Sequence, residues 1–501
     1  MKYNNPVIPG FYPDPSICKA NGKYYLVCSS FQFFPGVPLF ESDDLVNWKN
    51  IGHVLTRKSQ LPLEGAGCSG GIYAPTIRYN DGRFYMVTTN VNYGGNFYVY
   101  TDDIYGEWSE PIFVEQGGID PSLYFENGKT YFMSNGEADN GEHGITQCEI
   151  DIETGKKLTP SVCIYKGAGG RYIESPHLYK IGNTYYIMVA EGGTEYGHMV
   201  VYGKGDTPYG PFENYPKNPV LTNRNLGGYV IQGCGHGDIV EDNDGHFWMV
   251  HLAFRQIDRW MPFHITGREV CLVPVSFDDE GWFTAGVEGI TPIEIETERI
   301  PDDVEQVFRQ KENFENTEVG KDWVYIRNPH FENYHFDKDG FTLKATPVTL
   351  SDEDDSPTAI CIRQRQMNGE VSCKVTVDGD EAGISLYMNE IHHYDLCVRH
   401  RDGIFELVKR SCIGGVKCEQ NIAVLEDGKD TELRIRLENK EYIFSGRQGG
   451  KEYDLGKLET RYLSSEVACG FTGVMIALYT HGIRGKEARF TDFSVCYDEQ
   501  V

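Results

Sequence analysis

Three acidic residues, Asp14, Asp120 and Glu174, each begin a copy of one short phrase that recurs five times in the first 250 residues. Each copy is a short apolar run, a turn of Asn, Asp or Gly, and an aromatic-rich run, which is the pattern of a β-hairpin. Two carboxyl groups across a pocket are the minimum for cleaving a glycosidic bond: one protonates the leaving oxygen, and the other activates water or attacks. A third can raise the pKa of the acid and hold its orientation.

A structural role for these acids is the alternative, since Asp favours turn and cap positions and Asp-Pro-Ser suits a turn. For any single copy this alternative is the better interpretation. The five copies begin at Asp14, Ala74, Asp120, Glu174 and His236. Because acids recur at corresponding positions of the repeat, we favour a shared carboxylate site.

The repeat also predicts the elements that position these acids. A hairpin that recurs every ~45–60 residues is typical of a propeller with one four-stranded sheet per blade. The innermost strands of a propeller begin around one axis, so equivalent positions should converge there. We predict an all-β protein with a five-bladed β-propeller over residues 1–300 and an acidic linker over 301–313. Longer alternating strands over 314–501 predict a β-sandwich, a concanavalin-like jelly roll.

Composition excludes some partners. The chain has 501 residues, with 46 basic and 74 acidic side chains and a net charge of −28, which argues against nucleic acid or an anionic membrane. We see no signal-peptide pattern and no run of ~20 apolar residues. The 14 cysteines include no CxxC motif, so we expect buried thiols and a cytoplasmic location.

The motifs resemble those of glycoside hydrolase family 43, in particular its β-xylosidase/α-L-arabinofuranosidase group. The matching segments include Pro9-Gly-Phe-Tyr-Pro-Asp14-Pro-Ser, Gly71-Ile-Tyr-Ala-Pro75, Glu174-Ser-Pro-His-Leu-Tyr, Ala190-Glu-Gly-Gly-Thr-Glu-Tyr-Gly-His198, Gly235-His-Gly-Asp-Ile-Val and Gly267-Arg-Glu. The resemblance implies that Asp14 is the general base, Glu174 the general acid, and Asp120 the residue that tunes and orients Glu174. It also implies inversion at the anomeric carbon, and hence roughly 6.5–9.5 Å between the carboxyl groups of Asp14 and Glu174.

Four further residues are implied to bind substrate: Phe31, Tyr73, Arg268 and Thr194. Arg268 matches an arginine that reaches a substrate hydroxyl or the base, although a surface ion pair with Glu269 is an alternative. Phe31 and Tyr73 match aromatic walls of the terminal-sugar subsite, although both could simply pack in the core. Many relatives have tryptophan at the position of Tyr73.

His236 is implied to lie in the axial channel beside a calcium ion whose shell is often completed by water. Calcium prefers six to eight oxygen ligands, so one histidine is a poor metal signature. The alternative is a hydrogen-bonded histidine beside the site. A calcium ion here would be structural or would tune a pKa.

Together these observations predict an inverting exo-glycosidase that acts on small arabinoxylan or xylan oligosaccharides. We expect it to remove terminal non-reducing α-L-arabinofuranose, with β-D-xylose as the close alternative. A non-catalytic carbohydrate-binding propeller and an endo-acting arabinanase are weaker alternatives. The segment Ser356-Pro-Thr-Ala is our candidate for a sandwich loop near the pocket. The sequence does not settle association, and a homo-oligomer would be unsurprising.

Overall fold

The first 300 residues form five antiparallel sheets of four strands each, as predicted. The computed structural model describes residues 1–309, 311–313 and 320–498. From the inside outward, the blades are Ser16–Ala20, Lys23–Val27, Gly36–Ser42 and Lys49–Leu55; Thr76–Asn80, Arg83–Asn90, Gly95–Thr101 and Ile112–Phe113; Ile119–Glu126, Lys129–Glu137, His143–Ile150 and Val162–Tyr165; Glu174–Ile181, Thr184–Glu191, Met199–Gly205 and Glu213–Asn214; and Ile231–Glu241, Phe247–Arg255, Glu269–Phe277 and Phe283–Ala285. We number them blades 1 to 5 in this order.

The turns of the repeated phrase close the inner hairpins. In blade 1, Asn21 and Gly22 have φ values of 53° and 79°. Positive φ at both central residues is the requirement of a type I′ turn, which matches the twist of the strands on either side. Asn127 and Gly128 repeat this geometry in blade 3, with φ values of 52° and 74°. The phrase therefore encodes the two innermost strands of a blade.

The circle of blades closes without a shared four-stranded sheet. Within the described residues, no strand of blade 1 shares a sheet with a strand of blade 5. Lys2–Asn4 pairs with Glu294–Glu296, and Ile8 forms an isolated bridge with Val270. Other contacts between the first and last blades must therefore help to hold the ring.

The C-terminal part is the predicted two-sheet sandwich. One sheet contains, in spatial order, Tyr334–Asp337, Gly340–Lys344, Glu487–Tyr497, Gly369–Val377, Thr431–Leu437, Glu441–Gln448 and Lys451–Glu459, with Lys311–Asn313 also paired to Glu487–Tyr497. The other contains Thr358–Arg363, Met475–His481, Glu381–Asn389, His392–Arg401, Ile404–Ile413 and Val416–Leu425. Short helices occur at Phe331–Asn333, Thr460–Leu463 and Ser465–Ala468.

Residues 310 and 314–319 lie outside the described ranges, so part of the predicted 301–313 linker and the sandwich boundary at 314 do too. The strand Lys311–Asn313 hydrogen-bonds to the sandwich, which places this part of the predicted linker in the second domain. In the described ranges, no helix has the length and apolar character needed to cross a bilayer. All 14 cysteines fall within those ranges and are free thiols, nine of them buried.

Propeller and sandwich share an apolar interface. Phe33–Phe34 pairs with Tyr325–Ile326, which joins the two domains by backbone hydrogen bonds. A buried cluster includes Phe11 and Phe31 from the propeller together with Tyr387, Met475 and Tyr479 from the six-stranded sheet, among others. This contact brings the sandwich against the end of the propeller where the innermost strands begin.

Candidate active site

All eight residues predicted for the site line one small cavity, of about 80 Å³, at the start of the innermost strands. The lining is Asp14, Phe31, Tyr73, Ala74, Ile119, Asp120, Glu174, Thr194, His198, His236, Arg268 and Phe471. Asp14, Asp120 and His236 share a left-handed backbone, with φ values of 56°, 52° and 49°. Such conformations are strained in residues other than glycine and concentrate at functional sites. Equivalent repeat positions therefore converge, as predicted.

Asp14 is buried but surrounded by donors and positive charge. Its Oδ1 accepts a 2.8 Å hydrogen bond from Arg268 Nη1 and lies 3.6 Å from His236 Nδ1. Its Oδ2 accepts a short hydrogen bond from the Ser29 hydroxyl. Burial raises the pKa of Asp14, but Arg268, His236 and Ser29 outweigh it, and the net pKa is below the ordinary value. Asp14 is therefore ionised at neutral pH.

Asp120 and Glu174 have the opposite environment. Burial, followed by repulsion from Asp14, raises the pKa of Glu174 to about 7. Burial and the charges of Glu174 and Asp14 raise the pKa of Asp120 well above its usual range. Carboxyl groups that repel each other in this way titrate as a pair, so the two hold at least one proton near neutral pH. The site thus combines an ionised carboxylate with a carboxylic acid.

Arg268 connects the base to the substrate side of the cavity. Its Nη1 donates both to Asp14 and to Thr194 Oγ1, at 2.8 Å each, and its Nη2 donates to the Phe471 carbonyl at 3.3 Å. The alternative ion pair with Glu269 is wrong, because Glu269 pairs with Arg255 at 2.7 Å. Arg268 is buried in the site, where it neutralises Asp14.

Three aromatic rings form one wall. Phe31 packs between Phe11 and Phe471, with ring centroids 5.9 Å away in both directions, and lies 5.4 Å from Tyr73. Tyr73 is half-buried, so it combines packing with a face toward the cavity. Phe31 is almost fully buried, so much of its ring also serves the core, as the packing alternative anticipated.

Phe471 comes from the sandwich and was missed by sequence reasoning. Its amide donates to Ser69 Oγ at 2.8 Å, which fixes its loop against the propeller. The predicted Ser356-Pro-Thr-Ala loop is not among the residues that line this cavity or the larger one outside it. The adjacent acidic segment instead accepts hydrogen bonds from Arg327 through the carbonyls of Asp352 and Asp355. No repeat or spacing marks the segment around Phe471.

His198 was also missed as a site residue, although it lies in a family-matching segment. It is buried, burial lowers its pKa to about 3, and its Nδ1 lies 3.2 Å from the Gly233 carbonyl. A Cβ at Gly235 would lie 2.3 Å from the His198 ring, so this glycine is required by close packing. His198 is thus a neutral wall residue beside Asp14.

The residues around His236 do not fit a calcium ion held by side chains. The described residues contain no group of three or more His, Cys, Asp or Glu side chains arranged to hold a metal. The oxygens of Asp14 already accept from Arg268 and Ser29. Calcium needs an oxygen-rich shell, which these donors do not supply. His236 lies beside the site, with Nδ1 3.6 Å from Asp14 Oδ1, and burial lowers its pKa below the ordinary value, so the ring is neutral at neutral pH.

A larger cavity of about 630 Å³ opens directly outside the small one. The two share Glu174, Thr194, Arg268 and Phe471. The outer cavity is also lined by Tyr172, Gly193, Glu195, Tyr196, Phe254, His264, Ser465, Glu466 and Gly470, so the sandwich contributes to it. Glu174 therefore lies at the boundary between a narrow inner space and a roomy outer one.

The comparisons with known proteins agree with this geometry. The family model "Glycosyl hydrolases family 43" matches residues 3–283, and "Beta xylosidase C-terminal Concanavalin A-like domain" matches residues 311–496. A non-reducing end alpha-L-arabinofuranosidase of Bacteroides ovatus is 37% identical over 96% of this chain and 91% of its own length. A xylosidase/arabinosidase of Butyrivibrio fibrisolvens is 35% identical over 99% of both chains.

The solved structure of GH43B from a Bacteroides ovatus xyloglucan locus superposes with a TM-score of 0.92 at 35% identity and covers all of both chains. The match thus extends over the propeller, the sandwich and their relative placement. With the carboxylates of three blades meeting in one cavity, these similarities establish that the chain belongs to glycoside hydrolase family 43.

Proposed function

We propose that the protein is an inverting exo-glycosidase that removes a terminal non-reducing α-L-arabinofuranose from a neutral oligosaccharide. One observation carries the proposal: within the same cavity Asp14 is held ionised, while the pKa of Glu174 is raised to about 7. A pair of carboxyl groups whose environments push their pKa values apart has the acid and base assignments that glycoside hydrolysis needs.

In the proposed mechanism, Asp14 accepts a proton from a water molecule as its oxygen attacks the anomeric carbon. Glu174 donates its proton to the glycosidic oxygen as the bond from that oxygen to the anomeric carbon breaks. The sugar leaves with inverted configuration, the leaving alcohol carries the proton from Glu174, and Asp14 ends protonated. Exchange of one proton with solvent restores both groups, so no covalent intermediate is needed.

Asp120 and Arg268 support these two roles. Asp120 accepts a hydrogen bond from the backbone of Ser175, next to Glu174, and its carboxyl group titrates together with that of Glu174. Arg268 keeps Asp14 ionised and, with Thr194, offers polar atoms to substrate hydroxyls. A permanently charged planar donor suits both tasks.

The two cavities support exo cleavage. The inner cavity, of about 80 Å³, suits a single sugar, whereas the outer one, of about 630 Å³, has room for the rest of an oligosaccharide beyond Glu174. Among the described lining residues of the outer cavity, Arg268 is paired with Asp14 and His264 with Glu466. A neutral leaving group therefore suits it better than a uronate. An endo-acting enzyme needs an open groove, whereas the inner cavity here is narrow and includes Phe471 of the sandwich in its lining.

The test is a comparison of initial rates on an aryl α-L-arabinofuranoside and an aryl β-D-xyloside, with the anomer of the first product followed by NMR. We expect the arabinofuranoside to be faster and the product to be inverted. A dominant xyloside rate would favour β-D-xylosidase, a second candidate supported by the dual name of the Butyrivibrio relative. Lack of turnover on both would favour a carbohydrate-binding propeller.

A further inference from the structure

A second charged layer lies on the axis below the catalytic carboxylates. Asp238 of blade 5 is fully buried and faces Arg78 of blade 2. Arg78 Nη1 is 2.8 Å from Asp238 Oδ2, and Nη2 is 3.1 Å from Oδ1, so the guanidinium binds the carboxylate with two parallel hydrogen bonds. This geometry is specific to arginine among the cationic side chains.

Asp238 has no free lone pair directed at the axis, because four other donors use its oxygens. Ser16 Oγ donates to Oδ2 at 2.7 Å and the Ile17 amide at 3.0 Å. The Tyr179 hydroxyl donates to Oδ1 at 2.6 Å and the Ile239 amide at 3.0 Å. Burial raises the pKa of Asp238, but Arg78, His177 and these hydrogen bonds outweigh it and hold the pKa well below the usual range.

Arg78 is also satisfied by groups from other blades. Its Nη2 lies 2.9 Å from His177 Nδ1 in blade 4, and its Nη1 donates to the Ile17 carbonyl of blade 1 at 3.3 Å. Burial lowers the pKa of His177 to about 3, so the ring is neutral and its Nδ1 accepts from Arg78. The pair and its partners therefore join blades 1, 2, 4 and 5 at the axis, where blades 1 and 5 share no sheet among the described strands.

The catalytic groups lie on the same strands or directly before them. Ser16 follows Asp14 by two residues, His177 follows Glu174 by three, and Asp238 follows His236 by two. The His177 and His236 rings are 6.5 Å apart in an edge-to-face arrangement, and His236 Nδ1 is 3.6 Å from Asp14 Oδ1. A shift of the lower layer would move the start of each strand and thus the separation of base and acid.

We propose that the Arg78 guanidinium supplies the positive charge on the propeller axis. We further propose that Arg78 is a positioning residue for the carboxylates above it. Its guanidinium neutralises Asp238, closes the ring between the first and last blades, and makes a divalent ion on this axis unnecessary. The proposal rests on the proposed function for its kinetic part only. Its structural part concerns stability and metal dependence, which are measured without substrate.

The first experiment measures the melting temperature of the wild-type protein with a calcium chelator and with added calcium chloride. We expect the same melting temperature in both, and the same pH profile of kcat/KM. Bound calcium at one ion per chain together with a lower melting temperature after chelation would overturn the proposal, whether or not the enzyme turns over either glycoside.

The second experiment compares Arg78→Ala, Arg78→Lys and the control Arg83→Ala, which removes an exposed pair with Asp102 on the same blade. Misplacement of reacting groups by about 1 Å can cost up to about 100-fold in rate. We expect Arg78→Ala to lose kcat on that scale, with little change in KM and an altered alkaline limb of the pH profile. Millimolar guanidinium chloride should restore part of kcat, and Arg83→Ala should behave like the wild type.

If Arg78→Ala does not fold, Arg78→Lys and Asp238→Asn decide the matter. Lysine keeps the charge but loses the two parallel hydrogen bonds, so we expect a folded protein with reduced kcat and melting temperature. Asp238→Asn leaves Arg78 without its counter-charge and should lower both as well. Wild-type kcat, pH profile and melting temperature in both variants would overturn the role of Arg78. If the wild type itself turns over neither glycoside, the proposed function fails, while the melting temperatures still decide the axial cation.

Discussion

Arg268 Nη1 lies 2.8 Å from Asp14 Oδ1, although 254 residues separate the two in the chain. This ion pair lowers the pKa of Asp14 and so makes it the base, although other carboxyl groups lie around the same axis. Asp14 is stabilised as an anion by its partner, and Glu174, which has no such pair among the described contacts, keeps its proton to about pH 7. The pKa values of Asp14 and Glu174 differ because Arg268, directly before the third strand of blade 5, pairs with Asp14.

Removing either catalytic carboxyl group should abolish most turnover. We expect Asp14→Asn and Glu174→Gln each to lower kcat by about 100-fold or more, since general acid–base catalysis contributes on that scale. Glu174→Gln should retain more activity on a dinitrophenyl glycoside than on an alkyl glycoside, because a good leaving group needs no proton. Steady-state kinetics on both substrates tests this.

The control for these variants is Glu110→Gln, which alters a carboxylate paired with Arg57 at the surface. It should keep wild-type kcat. The assignment is contradicted if Asp14→Asn or Glu174→Gln turns over at a near-normal rate, or if Glu174→Gln shows the same relative loss for good and poor leaving groups.

The pH dependence of kcat/KM should be bell-shaped. Asp14 must be ionised, and its pKa lies below the ordinary aspartate value of 3.8, so the acid limb falls below about pH 4. Glu174 must be protonated, so activity should decline through about pH 7 on the alkaline side. The charge of Glu174 raises the pKa of Asp120, and carboxyl groups that interact in this way titrate as a pair, so Asp120→Asn should shift the alkaline limb. An unmoved limb would remove Asp120 from the tuning role.

The free energy of unfolding should depend on pH through the same raised pKa of Glu174. The folded-state pKa of Glu174 is raised from 4.5 to about 7, so its proton stabilises the fold below pH 4.5 and this contribution is lost as pH rises through 7. A shift of this size corresponds to about 3 kcal/mol at most. Glu174→Gln should therefore gain stability relative to the wild type between pH 5 and pH 8. Urea unfolding at both pH values measures it, and a pH-independent difference would contradict the raised pKa.

The sequence predicts the propeller and its site well because both are encoded locally. The Asn-Gly turns specify hairpins, and a repeated hairpin places Asp14, Asp120 and Glu174 around one axis. Phe471 could not be found in this way, since it belongs to another domain and reaches the cavity only through the interface. The Arg78–Asp238 pair was likewise hidden, because its partners come from different blades and share no motif.

Phe471 should matter for binding more than for chemistry. Its ring packs on Phe31 and its carbonyl accepts from Arg268, so Phe471→Ala would open the inner cavity and loosen one hydrogen bond of the arginine. Loss of an aromatic wall costs on the order of 1–3 kcal/mol, and we expect KM to rise about 10-fold or more with a smaller change in kcat. Val467→Ala, on the adjacent exposed helix, is the matched control. Equal KM values in the two variants would exclude Phe471 as a wall.

Tyr73 should set the preference between the two pentoses. Its half-buried ring lies 5.4 Å from Phe31 and 6.2 Å from Phe471, at the edge of the inner cavity. A tryptophan there would extend the apolar face and remove the phenol hydroxyl, which changes both the shape and the donors that meet the sugar. We expect Tyr73→Trp to raise kcat/KM for the β-D-xyloside relative to the α-L-arabinofuranoside, and Tyr73→Phe to separate the effect of the hydroxyl from that of ring size. The ratio of the two kcat/KM values is the measurement, because a change in stability or in enzyme concentration affects both substrates equally. If the ratio stays the same in both variants, the sugar preference resides elsewhere, and Thr194 and Arg268, which line the same cavity, become the residues to change.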